Sequence, residues 1–256
     1  MVEEKFRNDE YQVRYKTKIF KENESTENPY LESSVECRGY DLLELAENIG
    51  FVEYLFLVFR GRLPETVESQ ILNRALIVLS MPGVRHPATR AAVVAGVGKT
   101  LPESVLPAAL LVLNGKHNGA GKLQEAMHFL RSAARGKEDP DKLDLQLQPG
   151  FGLHYGSPYI YLDDICDTLI GEQDWVYLKL GKALIESSRK NGKPVGWLWT
   201  GLFAALFCDL GIQPRFAPGF MQSICSPCLV AQGMENANQP TTILPFVTDD
   251  DYAFAE

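Results

Sequence analysis

The stretch "GWLWTGLFAALFCDLG", residues 196–211, decides the fold. From Gly196 to Cys208 it is almost wholly apolar. A bilayer span needs about 20 such residues, so this run is too short for one and reads as a helix buried in a protein core. Gly211 stands where a helix C-terminus places a glycine.

Outward from this core helix, the chain reads as helix after helix. "ESQILNRALIVLSM" puts Ile71, Leu72, Ala75, Leu76 and Leu79 on one stripe. "TRAAVVAGVGKT" and "ESVLPAALLVLNG" are apolar and rich in small residues, the composition of closely packed interior helices. "WVYLKLGKALIESSRKNG" places Val176, Leu180, Ala183, Leu184 and Ser187 on one face and ends in a basic turn followed by Gly192. Strand signals are thin. "YQVRYKTKIF", residues 11–20, alternates and predicts a short N-terminal hairpin strand. "ARGKEDPDKLDLQ", residues 134–146, reads as a surface loop.

Composition narrows the function classes. The 256 residues carry a net charge of −8 and an apolar fraction of 45%, which favours a folded globular chain and argues against a nucleic-acid surface. The charged opening "MVEEKFRNDEYQ" lacks the apolar core of a signal peptide, and the acidic end "TDDDYAFAE" reads as solvated. The expectation is a cytoplasmic protein with no membrane or nucleic-acid partner. Five cysteines, an odd number, fit reduced thiols. Cys225 and Cys228 form a CxxC, but no thioredoxin-like unit and no second ligand pair accompany it. They read as packing residues, and no metal site is expected.

The four histidines are the chemical candidates. His86 precedes Pro87, which suits a first helical position. His117 sits in "NGKHNGAGK", a glycine-rich turn at a helix start, where the helix end disfavours its charged form. The alternative reading is a turn histidine bonded to backbone. His128 falls on a solvent face of the next helix. His154 lies in "PGFGLHYGSPY", residues 149–159.

The order of these motifs resembles the short-form citrate synthase and citryl-CoA lyase family. "CRGYDLLELAENIGFVEYLFLVFRGRLPE", "HPATRAAVVAG", "GKHNGAG", "PGFG", "TGLFAALFCDLG" and "SICSPCLVAQGMEN" follow in that family's order, from about Lys16 to about Pro245. The resemblance implies an all-α fold. It implies a large helical domain of residues 1–117 and 196–256, a smaller one of 118–195 with the active site in the cleft between, and a homodimer. It also implies a small-molecule carboxylate or acyl substrate. A CoA thioester would enter as substrate, with no resident cofactor.

In that family one histidine steadies the enol of an acyl-CoA, an aspartate ahead of the apolar helix removes the α-proton, and a histidine directly after Gly-Phe-Gly protonates the carbonyl partner. Histidines and arginines clamp the carboxylates. Here His117 matches the enol-steadying histidine, with Asn118 replacing a glycine. His86 resembles an early substrate-binding histidine. Leu153 occupies the position after Gly-Phe-Gly, with His154 displaced by one. Thr200 stands at the aspartate, Cys225 at the clamping arginine and Gln232 at the following histidine. Gly150 and Gly152 fall in the loop that contacts CoA, but the Asp-Pro-Arg expected after it is replaced by "YIYLDD".

Thr200 cannot abstract a proton from an acyl methyl near neutral pH. Asp209, nine residues on, falls on the opposite helix face. Glu235, Asp163 and Asp164 are further carboxylates that the sequence does not place. The expectation is therefore a diverged carbon–carbon bond enzyme of lyase or acyltransferase type, without ordinary citrate synthase activity. The alternative is a non-catalytic homologue that binds or regulates. His154 is either the displaced acid, its shift absorbed by Gly152 or Gly156, or a bystander.

Overall fold

The computed structural model describes residues 16–137, 143–171, 173–248 and 250–255. Its contacts divide the chain into two units, Met1–Pro64 and Glu65–Glu256.

In the first unit, strands β1 (Phe20–Glu24), β2 (Glu32–Cys37) and β3 (Tyr40–Asp41) form an antiparallel sheet in that order. Half of the alternating segment read as a hairpin strand, residues 11–15, lies outside the described residues. The strand that does form begins only at Phe20 and reads FKENE, almost wholly exposed. With no buried face it carries no apolar alternation, so sequence periodicity could not find it. Asp41 then starts α1 (Leu42–Asn48), its carboxylate accepting from the N–H groups of Leu43 and Glu44. Helix α2 (Phe51–Arg60) follows, and Cys37, Leu45 and Leu57 make the small core beneath.

The second unit holds α3 (Thr66–Leu79), α4 (Pro87–Val97), α5 (Pro102–Leu113), α6 (Leu123–Ala134), α7 (Ile160–Ile170), α8 (Val176–Lys190), α9 (Trp199–Asp209) and α10 (Ala217–Glu235). The all-α expectation holds. Every residue of α9 from Trp199 to Cys208 is buried, and α6 and α8 pack against it. Trp199, Phe203 and Phe207, spaced i, i+4, stack along one side and continue onto Phe220 of α10. Among the described residues no helix is long and apolar enough to cross a membrane.

The small-residue reading of α4 also holds. A Cβ on Gly96 would overlap the carbonyl oxygen of Gly233, so α4 and α10 meet backbone to backbone. On α3, Ile71, Leu72, Ala75 and Leu79 are buried and Leu76 is half-buried.

The face predicted for α8 is wrong. Val176 and Ala183 are exposed, whereas Leu178, Gly181 and Ile185 face inward. The reason is Gly181, where a Cβ would overlap the ring of Trp197. A residue without a side chain makes room for the largest one, and an apolar-stripe count cannot register it. His128 is exposed, and the helix ends at Gly192 and Gly211 both take positive φ, as expected.

The segment read as a surface loop begins in the last turn of α6 and returns at Leu145, which is buried; residues 138–142 lie outside the described set. The CxxC sits inside α10. Cys225 is fully buried with its sulfur 3.9 Å from the Leu79 carbonyl, and burial pushes its thiol up to about 12. Cys228 donates to the Ser80 hydroxyl. All described cysteines are free, and no group of three potential metal ligands occurs among the described residues.

Candidate functional site

Three segments of the second unit converge at the N-terminus of α9. The first is the start of α4. His86 is its N-cap and Pro87 its first residue, because proline has no N–H to lose there. The His86 Nδ1 accepts from the Ala88 N–H at 3.1 Å, so Nε2 carries the proton and donates to the Asn118 carbonyl at 3.1 Å. Both nitrogens are spent on backbone. Burial holds His86 below the usual histidine range against the opposing Asn118 bond, and the charges of His117 and His154 add to the lowering.

The second segment is the turn 114–119. Asn118 is buried and left-handed, at φ +55°. Asparagine tolerates this conformation better than most residues, which is why it can stand in a glycine position. Its side chain has a second use. Leu198, the N-cap of α9, has no polar side chain, and the Asn118 Oδ1 instead accepts from the Trp199 N–H at 2.8 Å. Beside it the Thr200 hydroxyl donates to the Gly119 carbonyl at 3.0 Å. Thr200 is thus a buried tie between α9 and the turn.

The third segment is the loop 149–159. Phe151 and Gly152 form strand β4, paired antiparallel with β5 (Gly196–Trp197) just ahead of α9. The Phe151 and Trp197 rings stack at 5.0 Å, and the Leu198 N–H donates to the Gly150 carbonyl. Gly150 takes φ +92°, and a Cβ on Gly201 would overlap its carbonyl oxygen, so loop and helix touch through backbone alone. After half-buried Leu153 the chain reverses. His154 and Ser157 exchange backbone hydrogen bonds of 2.8 and 3.2 Å across Tyr155 (φ +50°) and Gly156 (φ +81°), a type I′ turn.

This turn leaves the His154 ring within reach of the His117 charge. Burial and then the His117 charge hold His154 below the usual histidine range. Neither imidazole makes a hydrogen bond among the described residues, and His117 is exposed while His154 is half-buried. The site therefore contains one fixed histidine and two free ones.

The remaining sequence candidates are placed elsewhere. Cys225 is sealed against Leu79, and Gln232 bonds the exposed Glu235 at 3.1 Å. Asp209 accepts from the Tyr177 and Leu178 N–H groups and so caps α8; burial raises its carboxyl despite them. Asp163 pairs with Arg189 at 2.8 Å. A cavity of about 170 Å³ opens beside Thr200, lined also by Asn118, Gly150, Lys116, Lys122 and Glu125. The last three escaped the sequence reading because each resembles an ordinary exposed charge. Lys122 and Glu125 form an ion pair there.

No protein-family model matches the sequence, and no curated protein matches it. Solved structures do match. The citryl-CoA lyase of Hydrogenobacter thermophilus is 24% identical, over 94% of each chain, with a TM-score of 0.74. A Methanosaeta concilii ATP citrate lyase variant in complex with (3S)-citryl-CoA is 13% identical, with a TM-score of 0.72; the match covers 93% of this chain and 42% of that one. The Thermotoga maritima citrate synthase is 13% identical over 95% and 96% of the two chains, with a TM-score of 0.51. The chain has the fold shared by citryl-CoA lyases and citrate synthases.

Proposed function

We propose that the protein is a diverged carbon–carbon lyase of the citrate synthase and citryl-CoA lyase family, in which His117 and His154 handle the protons. The observation that carries this is that the turn holding His117 and the loop holding His154 are both fastened to the start of α9, and neither imidazole is hydrogen-bonded among the described residues. Burial favours the neutral, proton-accepting form of His154. Cleavage of a 3-hydroxyacyl substrate begins with loss of the hydroxyl proton, a task suited to imidazole. His154 takes that proton, the carbon–carbon bond breaks as the carbonyl forms, and the electron pair moves onto the acyl group as an enolate. His117, at the family's enol-steadying position, stabilises it. In this reading half-buried Leu153 lies against the substrate, while Gly150, which lines the cavity, and Gly152 bring backbone close to an acyl or CoA thioester substrate.

The loss of the clamping arginine at Cys225 favours a substrate with fewer carboxylates than citrate. The same reading includes a homodimer, a cytoplasmic location, and a cleft between residues 1–117 with 196–256 and residues 118–195. A second reading, a non-catalytic binding or regulatory subunit, is favoured by one observation: the Thr200 hydroxyl is committed to Gly119.

The test supplies purified protein with citryl-CoA and, separately, 3-hydroxy-3-methylglutaryl-CoA, and follows release of the keto acid. Cleavage is expected for at least one. His154→Ala should lower it on the order of a hundredfold, as loss of a general acid–base group does. His117→Ala should abolish it with the fold intact. Acetyl-CoA with oxaloacetate should release CoA no faster than background. Absence of cleavage with either substrate, or cleavage indifferent to His117, would favour the binding subunit.

A further inference from the structure

The loop that carries His154 also carries an aromatic ladder that the proposed chemistry does not use. The His154 ring lies edge-on to Tyr155 at 4.4 Å and stacks on Tyr159 at 5.1 Å, with 12° between the planes. Tyr161 continues the row at 6.2 Å from Tyr159. These tyrosines are not core residues: Tyr155 is 77% exposed, Tyr159 40% and Tyr161 59%. Tyr155 also adopts a left-handed backbone, φ +50°, which disfavours a bulky side chain. A large ring held outward at a strained position, touching a half-buried histidine, is poorly explained by packing. The position that the family resemblance assigns to a carboxylate clamp is a sealed cysteine, away from this loop, and the residue after Gly-Phe-Gly is leucine.

We infer that Tyr155 and Tyr159 form a stacking subsite for a flat ring carried by the substrate, set beside His154. This inference rests on the histidine cluster being the ligand site, but it concerns binding and not turnover. Two sources supply a flat ring: an aryl group on the acyl portion, or the base of a nucleotide portion. A face-on or edge-on partner on two tyrosines gains stacking energy with little loss of side-chain freedom.

Saturation-transfer NMR on the full chain tests it, with phenylacetate, adenosine and acetate as separate probes. Transfer to the ring protons of phenylacetate, with none to acetate, identifies an aryl substituent. Transfer to adenosine alone identifies a nucleotide base. In either case the signal should fall on the order of fivefold in Tyr155→Asn and in Tyr159→Leu. Asparagine suits the left-handed position, so Tyr155→Asn should melt no lower than the parent, which separates lost stacking from lost fold. No transfer to either ring, or transfer unchanged in both variants, overturns the inference. Failure of the cleavage assay leaves this outcome untouched, because the probes need not react.

Discussion

The two sides of the histidine cluster are built on opposite principles. On one side, His86, Asn118, Thr200 and Gly119 form a closed set of hydrogen bonds between α4, the 114–119 turn and α9. On the other, His154 rides on a tight turn with a left-handed tyrosine, and its ring packs against those of Tyr155 and Tyr159. On the first side polar side chains are spent as fasteners between elements, while on the second a turn histidine keeps its ring free of hydrogen bonds among the described residues. A residue singled out by its place in a motif can be spent entirely on holding the backbone.

The largest effect should come from breaking the contact that holds the two sides together. Gly201→Ala drives a Cβ into the Gly150 carbonyl, one residue from the β4–β5 pairing. The expected loss is about 4 kcal/mol or more by denaturant unfolding. Gly156→Ala, where no atom lies within 4 Å, meets only its left-handed φ and should cost about 1 kcal/mol. Equal losses would mean that the loop is not packed on α9.

Next comes the fastened side. Asn118→Ala loses the cap on Trp199 and puts at φ +55° a residue without asparagine's tolerance of that conformation. Capping is worth about 1 kcal/mol and the left-handed conformation about 1 more, so a loss of about 2 kcal/mol is expected. Asn118→Gly relieves the second cost and should lose only about 1 kcal/mol.

Acid should separate the sides further. Burial lowers the folded pKa of both His86 and His154 below the unfolded value, so the unfolded chain takes up protons first. Their contribution is fully present above the unfolded histidine pKa of about 6.5 and is lost as pH falls from there through the folded values. His86→Asn keeps an N-cap acceptor for Ala88 and removes the titrating ring. Its stability should fall less than the parent's between pH 7 and pH 5, as thermal melts would show. The smallest effect is a gain: Tyr155→Asn should stabilise by about 0.5 kcal/mol through relief of backbone strain.

Much of this architecture was legible because it is written in side-chain polarity. The apolar run of α9, the stripe on α3 and the His86-Pro87 start of α4 all depend on which side chains avoid water or lack a donor. What was not legible depends on backbone or on partners distant in sequence. Gly181 makes room for Trp197, sixteen residues later, so the inward face of α8 was misread. The β1 strand has no apolar face at all. In the site, the histidines could be singled out by type, but the commitment of Thr200 to Gly119 spans 81 residues and leaves no local pattern. Asn118 carried one readable signal, tolerance of positive φ, but its capping of a helix 81 residues away did not.

His86 is a fixed fastener, whereas His154 keeps a ring free of hydrogen bonds among the described residues and feels the charge of His117. The most direct test of this contrast is an NMR titration of the histidine ring protons in the parent and in His117→Asn. The account predicts that His154 titrates below the ordinary range and moves up when His117 is replaced, because one source of repulsion is gone. It also predicts that the His86 Nε2 proton stays protected from exchange in both proteins. A His154 that titrates identically with and without His117, or a His86 ring that exchanges freely and titrates like an exposed histidine, would contradict it.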